Sequence, residues 1–147
     1  MINHQLLVDF FPLIAALSAM VISQSTKLII FLFKQNYTFQ LSSIITAGGM
    51  PSTHSALITA IAISIGLKEG FHSTDFFLAT ILSLVVIYDA RGIRHCVGEQ
   101  AKILNKHLNL TNNGKANEFV GHTLIEVIVG TILGFFTAFI MYEMLIS

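Results

Sequence analysis

An all-α integral membrane protein, a helical bundle with about four transmembrane helices and an interfacial amphipathic helix, is the fold this sequence predicts. Three observations carry it. Of the 147 residues, 54% are hydrophobic and only 11% charged, and the mean hydropathy is +0.75; a soluble domain usually carries about 25% charged residues. Four apolar runs stand out, and the stretch between the third and fourth repeats its apolar residues at helical spacing. No Pro/Gly/Ser-rich linker divides the chain, so residues 1–147 read as a single domain. Formal net charge is zero, and no basic run points to nucleic acid. The single cysteine, Cys96, can form no internal disulfide. The first apolar run lacks a basic start and is too long for the core of a cleavable signal.

Val8 to Phe33 is the longest run, interrupted by the polar cluster Ser23-Gln24-Ser25-Thr26 and by Lys27. About 20 apolar residues cross the hydrocarbon, so it suffices. Ala56 to Leu67 becomes adequate if its helix starts at Pro51, because a first helical position tolerates proline. Phe76 to Tyr88 must borrow from Asp75 and from residues beyond Asp89. Between Asp89 and Val120, the residues Val97, Ala101, Leu104 and Leu108 recur at helical spacing, with Glu99, Lys102 and Lys106 off that face. This predicts an amphipathic helix continuing the third span into the interface. Thr111-Asn112-Asn113-Gly114 reads as a turn. Thr123 to Ile146 is the fourth run, with Glu126 near its start; its Gly130-Thr131-Ile132-Leu133-Gly134 is a small-residue pattern that packs helices within the monomer or across a homodimer.

Four crossings place Lys27, Lys34, Ser52, His54, Asp89, Arg91, Arg94, His122 and Glu126 at one side of the membrane or just beneath it. Lys34, Arg91, Arg94, Lys102, Lys106 and Lys115 lie on that side, against Lys68 on the other, so the positive-inside rule directs it to the cytoplasm and predicts an inner-membrane protein.

Met50-Pro51-Ser52-Thr53-His54-Ser55 and Gly121-His122-Thr123 each set a histidine at the mouth of an apolar run. Either one alone is as readily structural, but two histidines on the same side of the membrane tip the balance towards chemistry on a polar group at its surface. The first turn of a helix presents unpaired N–H groups, which suit a phosphate over Ser52 and Thr53, with Gly48 and Gly49 allowing close approach; the alternative is that Ser52 only caps the helix. His122 and Glu126 are four apart and stack on one helix face, where a carboxylate fixes the imidazole tautomer and frees the other nitrogen. Lys27 either snorkels to the headgroups or binds an anion. Asp89, Arg91 and Arg94 form a helix-end salt-bridge cluster or a phosphate grip. His54, His122, Glu126 and Asp89 could also ligate zinc or manganese, the reading ranked lowest because cations surround the spot.

The segments Gly49-Met50-Pro51-Ser52-Thr53-His54-Ser55, Tyr88-Asp89-Ala90-Arg91-Gly92-Ile93-Arg94, Gly98-Glu99-Gln100-Ala101-Lys102-Ile103-Leu104-Asn105 and Gly121-His122-Thr123-Leu124-Ile125-Glu126 resemble the divergent branch of the type 2 phosphatidic acid phosphatase superfamily, which includes vanadium haloperoxidases and bacterial acid phosphatases. The parent pattern is K-x6-R-P, P-S-G-H and S-R-x5-H-x3-D. Lys27 matches its first lysine, and Lys34 stands where the arginine would be. Pro51, Ser52 and His54 match the second motif, with Thr53 in place of glycine. His122 matches the last histidine, and Glu126 replaces the aspartate. Ala116 occupies the position of the third-motif arginine, leaving Arg91 or Arg94 to supply the guanidinium.

The resemblance implies a metal-independent phosphatase needing no cofactor. His122 would be the nucleophile, Glu126 its orienting partner and His54 the general acid and base. Lys27, Lys34, an arginine and the Ser52 backbone N–H would stabilise the transferring group. A site at headgroup level implies membrane lipids as partners and a phosphorylated lipid as substrate: phosphatidate, phosphatidylglycerol phosphate or a polyprenyl diphosphate. The alternative is a non-catalytic lipid- or anion-binding, transport or scaffold protein that kept the fold.

Overall fold

The computed structural model describes residues 4–33, 49–108, 115–118 and 121–146. Within them the chain forms five helices: α1 (His4–Phe33), α2 (Thr53–Glu69), α3 (Thr74–Arg91), α4 (Ile93–Leu108) and α5 (Leu124–Leu145). No strand occurs among the described residues. The all-helical expectation holds. Lys34 and the Thr111–Gly114 turn lie outside the described residues.

Three stretches are long and apolar enough to cross a membrane: Gln5–Ile30, Thr74–Leu108 and Leu124–Leu145. α2 has 17 residues, about 26 Å at 1.5 Å per residue, slightly less than the hydrocarbon thickness of about 30 Å. Its composition differs from the others for a physical reason. α1, α3 and α5 all pack against it, so it meets helices rather than lipid and needs small residues. Thr53, Ser55, Ala56, Ile58, Ala60, Ala62, Ser64 and Gly66 are its buried positions. The large exposed apolar side chains lie instead on the outer helices: Leu13, Leu17 and Val21 on α1, Leu78, Leu82 and Val85 on α3, Phe136, Ile140 and Met144 on α5. α2 begins at Thr53 rather than Pro51, because Ser52 is its N-cap and accepts a hydrogen bond from Ser55 N–H at 3.3 Å.

Small residues let α1 and α5 approach α2 closely. Ala19, Ala56, Ala60 and Ala138 form the centre, with Ile63 and Leu133 packed against them. The Gly130–Gly134 pair on α5 is used inside the monomer. A methyl group at Gly130 would collide with Ser52 O, and one at Gly134 with Ala56 O. Both obstacles are backbone atoms, which cannot swing aside. Polar groups pin the other seams. Ser23 Oγ on α1 lies 3.1 Å from Thr53 Oγ1 and 3.3 Å from Pro51 O. Ser83 Oγ on α3 reaches Ile58 O of α2 at 3.1 Å. Phe11 near the start of α1 meets Tyr142 near the end of α5, ring centroids 5.7 Å apart. These pairings run α1 antiparallel to α2 and α5. The end of α1, the starts of α2 and α5 and the end of α3 therefore share one end of the bundle.

Gly92 separates α3 from α4 with φ −83° and ψ −87°, and its N–H still bonds Tyr88 O at 2.7 Å. α4 has the expected amphipathic character, with a corrected face. Val97, Leu104 and Leu108 are exposed with Ile93, whereas Ala101 turns inward with Gly98 and Asn105. The helix thus shows one stripe to lipid and a narrower one to protein.

Gly130→Val should lower the thermal stability of the detergent-purified protein by about 1–3 kcal/mol, the usual cost of overpacking. Its unfolding midpoint in differential scanning fluorimetry checks this, and an unchanged midpoint would contradict the α2–α5 contact described above.

Candidate functional site

The site is built where α2 and α5 begin. Ser52 N–H donates to Glu126 O across the two helix mouths at 3.0 Å. This bond, over the close contact at Gly130, brings the residues before each helix together. His122 N–H donates to Ala90 O of α3 at 3.1 Å, so a third element fixes the histidine backbone. Gly49 enters α2 with φ +96°, a left-handed conformation that glycine adopts without a side-chain clash.

His122 is not on α5. It precedes Thr123, the N-cap, and the expected stacking on one helix face is replaced by a fold-back. Thr123 and Glu126 form a capping box: Glu126 N–H donates to Thr123 Oγ1 at 3.4 Å, and Thr123 N–H donates to Glu126 Oε2 at 2.9 Å. The same Oε2 lies 3.2 Å from His122 Nδ1. One carboxylate therefore caps the helix and orients the imidazole. With Nδ1–H given to Glu126, the neutral ring carries its lone pair on Nε2. His122 is 1% exposed, and Nε2 is buried without a hydrogen-bond partner among the described residues. An unsatisfied buried nitrogen costs about 1–3 kcal/mol, a penalty found most often where chemistry is done.

His54 stands opposite. It lies in the first turn of α2 with its side chain exposed, its ring centroid 6.1 Å from that of His122. Lys27, half-buried on α1, is near enough to act electrostatically on His54, His122 and Glu126. Arg94 and Asp89 act on His54 in the same way, and Arg94 Nε donates to Asp89 Oδ2 at 2.7 Å. Arg91 goes elsewhere. It lines a lateral apolar groove with Leu84, Ile87, Tyr88, Leu124 and Val127. Of the two arginines, Arg94 is the one that acts on His54.

One expectation is corrected. Ser52 does not offer its N–H to an anion, because that group is spent on Glu126 O. Its hydroxyl, fully buried, accepts from Ser55 N–H and from Ser55 Oγ–H at 2.9 Å. Thr53 is also buried, beside Ser23. Helix geometry leaves the N–H groups of Thr53 and His54 as the free donors of this turn. No cluster of three or more His, Cys, Asp or Glu able to hold a metal ion occurs among the described residues.

Sequence reasoning missed Thr123, whose T-x-x-E spacing to Glu126 was a legible capping signal. It also missed Ala90, which acts through a backbone carbonyl and leaves no signal.

Burial holds His122 below the ordinary imidazole range; Lys27 and His54 act in the same sense, while Glu126 opposes them. His122 is thus neutral in the folded protein at pH values where an unfolded chain would protonate it. Its stability contribution is fully present above the unfolded value of ~6.5 and is lost as pH falls from there through the depressed folded value. Histidine NMR should find His122 titrating below the ordinary imidazole value of ~6.5, and Glu126→Gln should move it lower still, since an acceptor that favours the imidazolium has been removed.

A family model described as the divergent PAP2 family matches residues 8–137. The chain is 32% identical over 142 residues to the uncharacterized membrane protein YuiD of Bacillus subtilis (strain 168), covering 84% of this chain and 89% of that one. No solved structure matches.

Proposed function

Since the chain belongs to the divergent PAP2 family, we propose that it is a membrane phosphatase hydrolysing a lipid phosphate or diphosphate through a phosphohistidine at His122. One observation carries the reading: the buried, unpartnered Nε2 of an imidazole whose other nitrogen is held by a carboxylate.

The chemistry follows from that arrangement. Nε2 of His122 attacks phosphorus, a P–N bond forms, and the P–O bond to the lipid breaks. The leaving oxygen takes a proton from protonated His54, and Glu126 stabilises the positive ring. Neutral His54 then removes a proton from water, whose oxygen attacks phosphorus and breaks the P–N bond. Inorganic phosphate leaves, His122 returns to its neutral form and His54 to its protonated one. The equatorial oxygens are met by Lys27, by Arg94 and by the Thr53 and His54 N–H groups, with Lys34 assigned to the same task. Asp89 holds Arg94 in position through their salt bridge.

Lipid phosphates suit this site because it opens at the end of a bundle whose outer helices face hydrocarbon. Phosphatidate, phosphatidylglycerol phosphate and polyprenyl diphosphates share the required chemistry. Arg91, Arg94, Lys102 and Lys106 gather at this end against Lys68 at the other, and the site accordingly faces the cytoplasm. A second reading, a lipid- or anion-binding protein without catalysis, is favoured by one observation: Ala116 occupies the place of the superfamily arginine.

Phosphate release from a panel of lipid phosphates, with chelator present, separates the two. The hydrolase reading requires release that persists in chelator, disappears in His122→Ala, falls by about 10²–10³ in kcat in Arg94→Ala and changes little in Arg91→Ala. Binding without release by a folded sample would instead establish the second reading.

A further inference from the structure

The segment from Gly98 to Asn105 lies on α4 and contributes no group to the histidine pair, yet it is bonded to the chain that carries His122. Asn105 is 7% exposed. Its Nδ2 donates to Ala116 O at 2.8 Å and lies 2.8 Å from Glu118 Oε1, and its Oδ1 accepts from Ala116 N–H at 2.9 Å. A single amide thus satisfies both backbone groups of residue 116 and a side chain two residues on. Two turns earlier, the same face of α4 is cut back to glycine. A Cβ at Gly98 would stand 2.8 Å from Glu118 O, and one at Gly121 would collide with the backbone of His95. Gly121 is covalently joined to His122. Glu126, on the far side, lines the small polar pocket that Gly98, Lys102 and Glu118 share with it.

We propose that Asn105 is a positioning residue: with Gly98 and Gly121 it clamps the strand of chain before α5 onto α4 and thereby sets His122 against His54. Residue 116 is where the parent superfamily places a phosphate-binding arginine, and here its backbone is anchored by α4 instead. The same helix carries Arg94, one turn before Gly98, into the field of His54. α4 therefore does two tasks for one site, delivering a guanidinium from its start and fixing the nucleophile's approach from its end. α4 packs on α3, and α3 supplies Ala90 O to His122 N–H. His122 is held from both sides of that helix pair.

The inference rests on the phosphatase reading only for its kinetic arm. With the full-length protein in detergent, Asn105→Ala should lower kcat by about tenfold or more, since misplacement of a reacting group by 1 Å can cost about a hundredfold, while KM stays within a few-fold. Independently of turnover, diethylpyrocarbonate should modify His122 several times faster in Asn105→Ala than in the parent, because the buried Nε2 becomes accessible. Glu118→Ala removes one of the three bonds at the surface and should give an intermediate rate, which covers the case in which Asn105→Ala does not fold. In Asn105→Asp, two carboxylates face each other; adding Glu118→Gln restores a donor and should recover part of the protection of His122. Parental modification rates in folded Asn105→Ala and Glu118→Ala would overturn the clamp. Faster modification in Asn105→Ala, together with no phosphate release by the folded parent protein, would uphold the clamp and refute the phosphatase reading.

Discussion

The hydrogen bond from Ser52 N–H to Glu126 O, made over Gly130, is the constraint on which the site depends. Two helix mouths can share a backbone hydrogen bond only if their axes nearly touch, and Gly130 and Gly134 remove the side chains that would hold them apart. That contact places residue 54 beside residue 122. It also occupies the Ser52 N–H, which belongs to the framework, and leaves the N–H groups of Thr53 and His54 as the free donors of that turn.

The electrostatics point to an anion. Lys27 acts on both histidines and Arg94 on His54; of the carboxylates beside them, Glu126 holds His122 and Asp89 is paired with Arg94. A cation placed between the rings would face those charges, with Glu126 Oε2 and Asp89 Oδ2 already engaged. A phosphoryl group reverses the account, since every nearby positive group then favours the charge that develops in transfer. Burial and Glu126 pull His122 in opposite directions. Burial prevails, so the ring is held neutral while the carboxylate keeps its orientation.

The departures from the parent pattern are local and mutually consistent. Residue 116 is an alanine, whose side chain can tie this stretch of chain to nothing polar. Asn105 bonds the backbone there, and Arg94 brings a guanidinium from another direction. Both come from α4, which also carries an exposed apolar stripe.

Much was legible in the sequence because membrane helices obey simple rules. Apolar runs of sufficient length, helical spacing in α4 and alternating crossings determined the all-α fold and put both histidines, Lys27, Asp89 and Arg94 at one end of the bundle. The capping box at Thr123 and Glu126 was legible too, since it depends on a spacing of three residues. Which arginine acts on His54 was not, because Arg91 and Arg94 differ by one helical turn and by the break at Gly92, and hydropathy cannot see a break. Neither could the sequence say whether Gly130 and Gly134 pack within one chain or between two. Only tertiary contact decided that, because a small residue states how close another backbone may come and never which one. The same holds for Ser52, Ala90 and Asn105: their parts are played through backbone partners far away in the chain, and a backbone amide carries no letter in the sequence.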